Sequence, residues 1–167
     1  NEIAASLGIE NVTAGNCIVF TYIGVVTGDL LSGVISQLLR SRKLAIGGMI
    51  GMTALGTLIL LSGWIQSSTA LYACYTWLGF SIGYIAMFLT TTAEQFGTNL
   101  RATVTTSIAN NVRATTLLTL PLFQYLKLPF GTLNSALFVG VCCFIIAAIS
   151  LWKMEETFGK DLDFQEL

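Results

Sequence analysis

Charged residues are scarce in this sequence, and histidine is absent. The chain has eight Lys and Arg, nine Asp and Glu and no His among its 167 residues, whereas 54% of the residues are hydrophobic. A soluble domain carries about 25% charged residues, so the 10% found here cannot cover a surface that faces water. Together with a mean hydropathy of +0.75, this composition predicts an all-α integral membrane protein.

The same scarcities argue against several classes of function. A net charge of −1 gives no field that attracts nucleic acid. Without histidine no Ser–His or Cys–His relay can form, which argues against a hydrolase. The cysteines lie in apolar runs without CxxC spacing, which predicts neither a metal site nor a disulfide; they are Cys17, Cys74, Cys142 and Cys143. We therefore expect no enzyme, no metal and no cofactor, and the alternative left open is a membrane enzyme that works with a lone Asp and Arg.

The apolar runs are long enough for five membrane-spanning helices. A span needs about 20 mostly apolar residues. This length predicts spans at 12–39, 44–65, 70–92, 103–126 and 132–152, within a helical bundle at 14–152 that follows a loop at 1–13 and precedes a tail at 153–167. The polar cluster 66–69 predicts the turn between the second and third spans. Pro121 predicts a kink late in the fourth span, and Pro129 and Gly131 predict the turn after it.

Glycines recur at a spacing that allows close contact between helices. Three GxxxG pairs occur: Gly24/Gly28, Gly47/Gly51 and Gly79/Gly83. Pairs of this kind let the backbones of two membrane helices approach one another. They predict either sliding surfaces in a moving bundle or ordinary tight packing.

Basic residues set the expected orientation, because Lys and Arg near span ends favour the cytoplasm. They follow the first, third and fifth spans, at 40–43, 101 and 153–160. Alternation of five spans places these joints on one side, and the opposite side has only Lys127, together with Glu2 and Glu10. We expect a multi-pass protein of the plasma (inner) membrane, with its amino terminus outside and its tail in the cytoplasm.

Two charged residues lie inside predicted spans. Asp29 comes ten residues before Leu39 and Arg113 twelve after Arg101, so at about 1.5 Å per residue they lie roughly 15 and 18 Å from the inner ends of their spans. That is near the middle of a hydrocarbon core about 30 Å thick, where a charge is rarely kept without a use or a partner. Asp29 is a candidate proton acceptor, and Arg113 is a candidate partner for it or an anchor for an anionic substrate. The alternatives are an Asp29–Arg113 ion pair that only neutralises both charges, and two side chains that face water separately.

The fourth span also carries a polar stripe. Asn110 lies three and Thr106 seven residues before Arg113, so the three share one helical face. Such a stripe is costly against lipid and must face protein or water. On the first span, Tyr22 lies seven residues before Asp29 and is expected on the same face, either as a hydrogen-bond partner of a substrate or as a packing aromatic.

Three segments at the expected inner joints resemble motifs of the major facilitator superfamily. Residues 33–43, GVISQLLRSRK, resemble its G-x-x-x-D-R-x-G-R-R loop, with Gln37 and Leu38 where the family has Asp and Arg. Residues 93–102, AEQFGTNLRA, resemble the S-E-x-F-P-T-x-x-R-G/A segment of sugar and metabolite porters, with Gly97 in place of Pro. Residues 156–162, ETFGKDL, resemble the P-E-T-x-G-K-x-L ending of the same porters.

The resemblance runs from about Thr13 to Glu166, and it implies the carboxy-terminal half of a twelve-helix transporter. The five spans would be the eighth to twelfth helices of a fold in which two six-helix halves, each built of inverted three-helix repeats, rock around a central site. A chain that begins at Asn1 without a signal peptide is then expected to be a fragment or a processed chain. The implied partners are the missing amino-terminal half with the seventh helix, a small-molecule substrate, H⁺ and membrane lipid.

The resemblance also implies a cytoplasmic gate at the inner joints, made of Gln37, Arg40, Arg42, Glu94, Arg101 and Glu156. In the family, Glu94 and Arg101 would pair with neighbouring loops in the outward-open state, and Glu155 and Lys160 would brace them. The alternative is an exposed ion pair worth less than about 1 kcal/mol.

The leading hypothesis is secondary active transport of a small polar metabolite by alternating access, coupled to protons. Arg113 favours an organic anion and the tail motif favours a sugar, but the third span lacks the P-x-P-W stretch of true sugar porters. The alternative is a non-transporting membrane sensor or assembly partner on the same scaffold, which the changed Gln37 and Leu38 favour. Five helices enclose only half a cavity, so this chain alone is not expected to transport.

Overall fold

The computed structural model describes residues 4–5, 7–9 and 12–159. From residue 14 onward it has the helices α1 (Ala14–Leu39), α2 (Arg42–Leu61), α3 (Ser68–Ile82), α4 (Ile85–Gln95), α5 (Arg101–Ala114) and α6 (Thr116–Lys153). No strand occurs within the described residues. The predicted all-α class is therefore confirmed.

Four stretches of the described chain are long and apolar enough to cross a membrane. They are α1, α2, the α3–α4 pair Ser68–Gln95 and the α5–α6 pair Arg101–Lys153. The first three stretches agree to within a few residues with the predicted spans 12–39, 44–65 and 70–92. Helices of this length and composition are those of a membrane protein, as the scarcity of charge predicts.

The fourth stretch contains 53 residues, which is roughly 80 Å of helix at about 1.5 Å per residue. That is more than twice the thickness of a hydrocarbon core of about 30 Å. Gly131 interrupts α6 with non-helical dihedrals (φ 78°, ψ 171°), whereas Pro121 lies within regular helix. By length and composition, the described residues contain four candidate stretches where the sequence predicts five spans. The two separate crossings at 103–126 and 132–152 stay a prediction.

Short polar side chains begin three of the helices. Each accepts a hydrogen bond from a backbone N–H of the first turn: Thr13 from Asn16 in α1, Ser41 from Leu44 in α2 and Ser67 from Ala70 in α3. These caps satisfy N–H groups that have no partner inside the helix. Ser67 belongs to the polar cluster 66–69, so the predicted turn between the second and third spans is confirmed.

Helices α1 and α3 pack closely through two of the predicted glycine pairs. A Cβ atom on Gly24 or Gly28 would collide with the backbone of α3, and one on Gly79 would collide with the Thr21 carbonyl of α1. A Cβ atom on Gly83 would lie 2.5 Å from the Val25 carbonyl oxygen. The Gly47/Gly51 pair differs, because a Cβ atom on Gly51 would meet nothing within 4 Å. Close packing is thus confirmed for the first and third pairs and is absent at Gly51.

The third span is not the continuous helix that the sequence predicts. Helix α3 ends at Ile82 and α4 begins at Ile85, so the chain unwinds at Gly83 and Tyr84. The Tyr84 N–H donates to the Ile82 carbonyl at 2.9 Å in a tight turn that does not continue the helix. Gly83 has a ψ of 60° and no side chain to oppose the backbone of α1. The break lies near the middle of a stretch of 28 residues.

Candidate functional site

The Asp29 carboxylate of α1 binds the start of α4. Its Oδ1 atom accepts a hydrogen bond from the Ala86 N–H at 3.0 Å. Ala86 is the second residue of α4, and Tyr84, the residue that precedes this helix, provides no side-chain cap. The N–H groups of a first turn have no partner within the helix, and the positive end of the helix dipole favours a carboxylate. A neighbouring helix therefore supplies the cap that α4 lacks.

The close packing of glycines makes this contact possible. A Cβ atom on Gly83 would lie 2.8 Å from the Asp29 N–H nitrogen and 2.9 Å from the Gly28 Cα atom. Only backbones in contact at this point allow the short aspartate side chain to reach the first turn of α4. We call Asp29, Gly83, Tyr84 and Ala86 the mid-span site.

Arg113 is not part of the mid-span site. Within the described residues no ion pair joins Asp29 to Arg113, so the predicted alternative of a fixed pair between them is absent. Arg113, Asn110 and Thr106 are all exposed on α5, which packs against α4 and α6. The Thr106 hydroxyl donates to the Ala102 carbonyl of its own helix at 2.7 Å. The polar stripe thus lies on the outer surface of this chain, where another protein segment or water could contact it.

Tyr22 is also remote from the break. Its side chain is 64% exposed on α1, and its hydroxyl makes no hydrogen bond within the described residues. The spacing of seven residues placed Tyr22 near Asp29 on the helix, but Asp29 turns toward α4 and Tyr22 does not. The structure therefore separates the five predicted mid-membrane residues into Asp29 at the break, the stripe on α5 and Tyr22 on the outside of α1.

A second cluster joins the ends of several helices on one side of the chain. The Arg42 guanidinium pairs with Glu94 at the end of α4, with an Nη2–Oε1 distance of 2.9 Å and an Nε–Oε2 distance of 3.3 Å. Arg42 also donates to the Ser36 hydroxyl at 3.0 Å, and the Thr157 hydroxyl donates to Glu94 at 2.7 Å. Only about 15% of each charged side chain is exposed. The pair thus ties α1, α2, α4 and the tail together.

The carboxylate of Glu156 caps the start of α2. It accepts hydrogen bonds from the Ser41 hydroxyl, the Arg42 N–H at 2.8 Å and the Lys43 N–H at 3.3 Å. Partial burial by itself raises the pKa of this carboxyl, but the hydrogen bonds from Ser41 and from the Arg42, Phe158 and Lys43 N–H groups outweigh it and hold the pKa below its ordinary value of 4.5. Glu156 is therefore held in its charged form at neutral pH.

Lys43 completes this cluster from the other direction. Its ammonium group donates to the carbonyls of Trp152 at 2.8 Å and Met154 at 2.9 Å, at the end of α6. A cation suits the negative end of a helix dipole, just as Glu156 suits the positive end of α2. We call this cluster the tail-side clamp and the membrane face on which it lies the tail side; its members are Ser36, Ser41, Arg42, Lys43, Glu94, Glu156 and Thr157.

The clamp contains half of the predicted gate. Arg42, Glu94 and Glu156 meet in it, whereas the side chains of Gln37 and Arg40 are exposed and outside it. Arg101 is the first residue of α5, and its side chain donates to the carbonyls of Ala93 at 2.9 Å and Phe96 at 3.3 Å. Glu155 is exposed, and Lys160 lies outside the described residues.

Sequence reasoning missed the uncharged and backbone parts of both sites. Ser36, Ser41 and Thr157 contribute hydroxyl groups to the clamp, and Ala86 contributes a backbone N–H to the mid-span site. Ser41 before the start of an apolar run was a detectable N-cap pattern. The Ala86 N–H left no trace in the sequence, because every non-proline residue has one.

Comparison of the chain with protein-family models, with curated proteins and with solved structures gives no match. The resemblance to the major facilitator superfamily therefore rests on the three loop motifs of the sequence, and the geometry of the two sites has to be interpreted from its own chemistry.

Proposed function

We propose that this chain is part of a secondary active transporter, which moves a small polar metabolite, a sugar or an organic anion, across the membrane by alternating access coupled to protons. Five spans would belong to it, with Gly131 at the turn between the last two. The observation that carries the proposal is the contact between the Asp29 carboxylate and the Ala86 N–H at a break in the middle of a span.

A break in a helix at the middle of the membrane costs free energy and is rarely kept without a use. No water is present in the hydrocarbon core to satisfy free N–H and C=O groups, so irregular backbone there is kept where it lines a cavity or a site. Substrate and coupling-ion sites of transporters typically form at discontinuous helices near the membrane midplane. The break at Gly83 and Tyr84 has this form, and Asp29 adds the rare carboxylate of an apolar span.

Asp29 offers a physical link between a proton and a helix. As a carboxylate it satisfies an N–H of α4 and faces the positive end of that helix. When protonated, it loses the charge that favours this position, so α4 is held less strongly against α1. Proton binding would therefore change the position of the half of the span that leads to the clamp.

The tail-side clamp supports the same proposal. It links four helices through charged groups at the helix ends, each of which keeps some exposure to solvent, so it can form in one state and open in another without stranding a charge in lipid. A clamp formed on one side of the membrane favours the state that is closed on that side. In the proposed orientation this is the cytoplasmic side, and the amino-terminal half of the transporter would complete the cavity.

Proton-driven uptake into vesicles tests the proposal. The native protein is reconstituted, a pH gradient is applied, and uptake of labelled sugars and organic anions is compared between the native protein, Asp29→Asn and Asp29→Glu. We expect Asp29→Asn to abolish uptake driven by the gradient and Asp29→Glu to retain part of it. Unchanged uptake by Asp29→Asn at equal protein level removes Asp29 from the mechanism. A protein that takes up none of the substrates favours the sensor or assembly partner.

The intact mass of the protein extracted from its own membrane tests whether the native protein also contains the proposed amino-terminal half. A mass more than twice the 18.0 kDa of this chain is expected for a complete transporter. A mass near 18.0 kDa contradicts that architecture, unless several copies enclose a cavity together.

A further inference from the structure

An amphipathic cavity among the described residues lies away from the mid-span Asp29–Ala86 contact. It has a volume of about 520 Å³ and lies between α2, α4, α5 and α6, within the range of about 300–1,000 Å³ that is typical of small-molecule sites. Its walls are mainly apolar and include Ile46, Ile50, Phe88, Phe96 and Leu151. Asp29, Arg113, Asn110, Thr106 and Tyr22 take no part in its lining. It is therefore distinct from the residues that the sequence assigned to transport.

Polar groups lie at the two ends of this cavity. Tyr84 lines it at the break, and Gln95, Ser150 and Lys153 line it on the tail side. Within the described residues the side chains of these four residues make no hydrogen bond or ion pair. Thr91 and Thr92 also line the cavity, but their hydroxyls donate to the Met87 and Phe88 carbonyls of α4 at 2.8 and 2.9 Å. The donors left for a ligand are thus at the ends.

The cavity has the length of one membrane leaflet. Tyr84 and Gln95 are eleven residues apart along the chain, with α4 between them, which corresponds to roughly 16 Å at about 1.5 Å per residue. Half of a hydrocarbon core is about 15 Å thick. A chain that enters on the tail side would therefore extend to the middle of the membrane, where it would meet the Tyr84 ring.

Among the described residues, the unpaired charge at the tail-side end of the cavity is positive. The Lys153 ammonium has no ion-pair partner among the described residues, whereas Glu94, the neighbour of Gln95, is already paired with Arg42 and bonded to Thr157. The nearby Glu155 is exposed on the tail. An apolar slot of leaflet length with a free ammonium at its mouth is complementary to one acyl chain with an anionic headgroup.

We propose that this cavity binds an amphiphile that has a single acyl chain and an anionic headgroup, with the headgroup at Lys153 and the chain directed toward Tyr84. The apolar walls do not suit a small polar metabolite, so the ligand is not the transported substrate. The assignment does not depend on transport and applies equally to a membrane sensor. Tyr84 lies both in the cavity and at the break between α3 and α4, so a ligand bound in the cavity would also affect the position of α4.

Native mass spectrometry of the purified native protein, released from micelles of a neutral detergent, tests the assignment by counting bound molecules. Oleate is the carboxylate probe and oleoyl-lysophosphatidylglycerol is the phosphodiester probe, while oleyl alcohol has the same chain without a charge. Lys153→Gln removes the ammonium, and Ala147→Phe fills the cavity from α6. Lys127→Gln is the matched control, because it removes a lysine from the same helix 26 residues away from Lys153.

We expect one saturable adduct per chain with at least one anionic probe. Lys153→Gln is expected to weaken it about tenfold, as loss of a hydrogen bond to a charged group does, and Ala147→Phe to abolish it. Lys127→Gln should bind like the native protein, and oleyl alcohol should bind weakly to native protein and Lys153→Gln alike. Binding of oleate alone identifies the ligand as a free fatty acid, and binding of the lysolipid alone identifies it as a membrane lipid. Binding of both shows that the cavity selects ligands by the negative charge of the headgroup. No saturable adduct, or an adduct of unchanged affinity in Lys153→Gln, would overturn the proposal.

Discussion

The Asp29 carboxylate of α1 and the Ala86 N–H of α4 are joined by a hydrogen bond of 3.0 Å between residues that are 57 positions apart in the chain. One helix thereby caps another in the middle of a span. The cap, the glycine contacts beside it and the tail-side clamp each lead to a measurable expectation.

Truncation of Asp29 should destabilise the protein more than replacement by its amide analogue. Asp29→Ala removes the cap from α4 and is expected to lower the free energy of unfolding by about 0.5–2 kcal/mol, the usual cost of a lost N-cap. Asp29→Asn keeps an oxygen that can cap α4 but loses the charge that favours the positive end of the helix, so it should cost only about 0.3–1 kcal/mol. Thermal unfolding in detergent compares the two variants, and equal losses in both would mean that the charge rather than the cap holds α4.

A methyl group at Gly28 should disrupt the contact between α1 and α3. Its Cβ atom would collide with the Phe80 carbonyl oxygen, so Gly28→Ala is expected to cost about 1–3 kcal/mol of stability through overpacking. Gly33→Ala is the matched control in the same helix, because its Cβ atom would meet nothing within 4 Å. This control should be neutral or stabilising by about 0.5–1 kcal/mol. Equal effects at both positions would contradict close packing at Gly28.

The Arg42–Glu94 pair should show a favourable coupling energy. Each side chain is about 15% exposed, so removal of one partner leaves a partly buried charge, at a cost of about 1–3 kcal/mol. A double-mutant cycle with Arg42→Gln and Glu94→Gln, read out by unfolding in denaturant, measures the coupling. Arg40→Gln, the exposed neighbour, should change stability by less than about 0.5 kcal/mol. A coupling energy near zero would identify the pair as an incidental surface contact.

Attachment of the tail should depend on pH through Glu156. Its pKa is lower in the folded chain than its ordinary value of 4.5, so its contribution to stability is fully present above pH 4.5 and is lost as the pH falls through the folded pKa. Protease cleavage within residues 154–159 should therefore accelerate below pH 4.5, as followed by mass spectrometry with an acid-stable protease.

Two variants, each with one glutamate replaced by glutamine, show whether Glu156 or another carboxyl group causes the pH dependence. Glu156→Gln should be cleaved readily near neutral pH and change little on acidification. Glu155→Gln should keep the native profile, because within the described residues its side chain makes no hydrogen bond or ion pair. A native pH profile in Glu156→Gln would assign the titration to another carboxyl group.

The sequence by itself determined the fold class and most of the helix positions. Charge at 10% and long apolar runs leave only helices that can cross a membrane, and the bounds of α1, α2 and the α3–α4 pair agree with the predicted spans. Local chemistry also placed the turn at Ser67 and the break at Gly131. These features depend on a residue and its immediate neighbours, which is why a sequence pattern can find them.

Only the tertiary structure decided which residues meet. Matching depth in the membrane suggested Asp29 and Arg113, but depth does not fix the direction of a side chain around its helix. Asp29 turns to a free N–H that exists only because the third span breaks at Gly83. Likewise Arg42, Glu94 and Glu156 meet through the packing of four helix ends, while Gln37 in the last turn of α1 and Arg40 directly after it stay exposed. Contacts of this kind depend on backbone groups and helix rotation, neither of which is encoded in the type of any single residue.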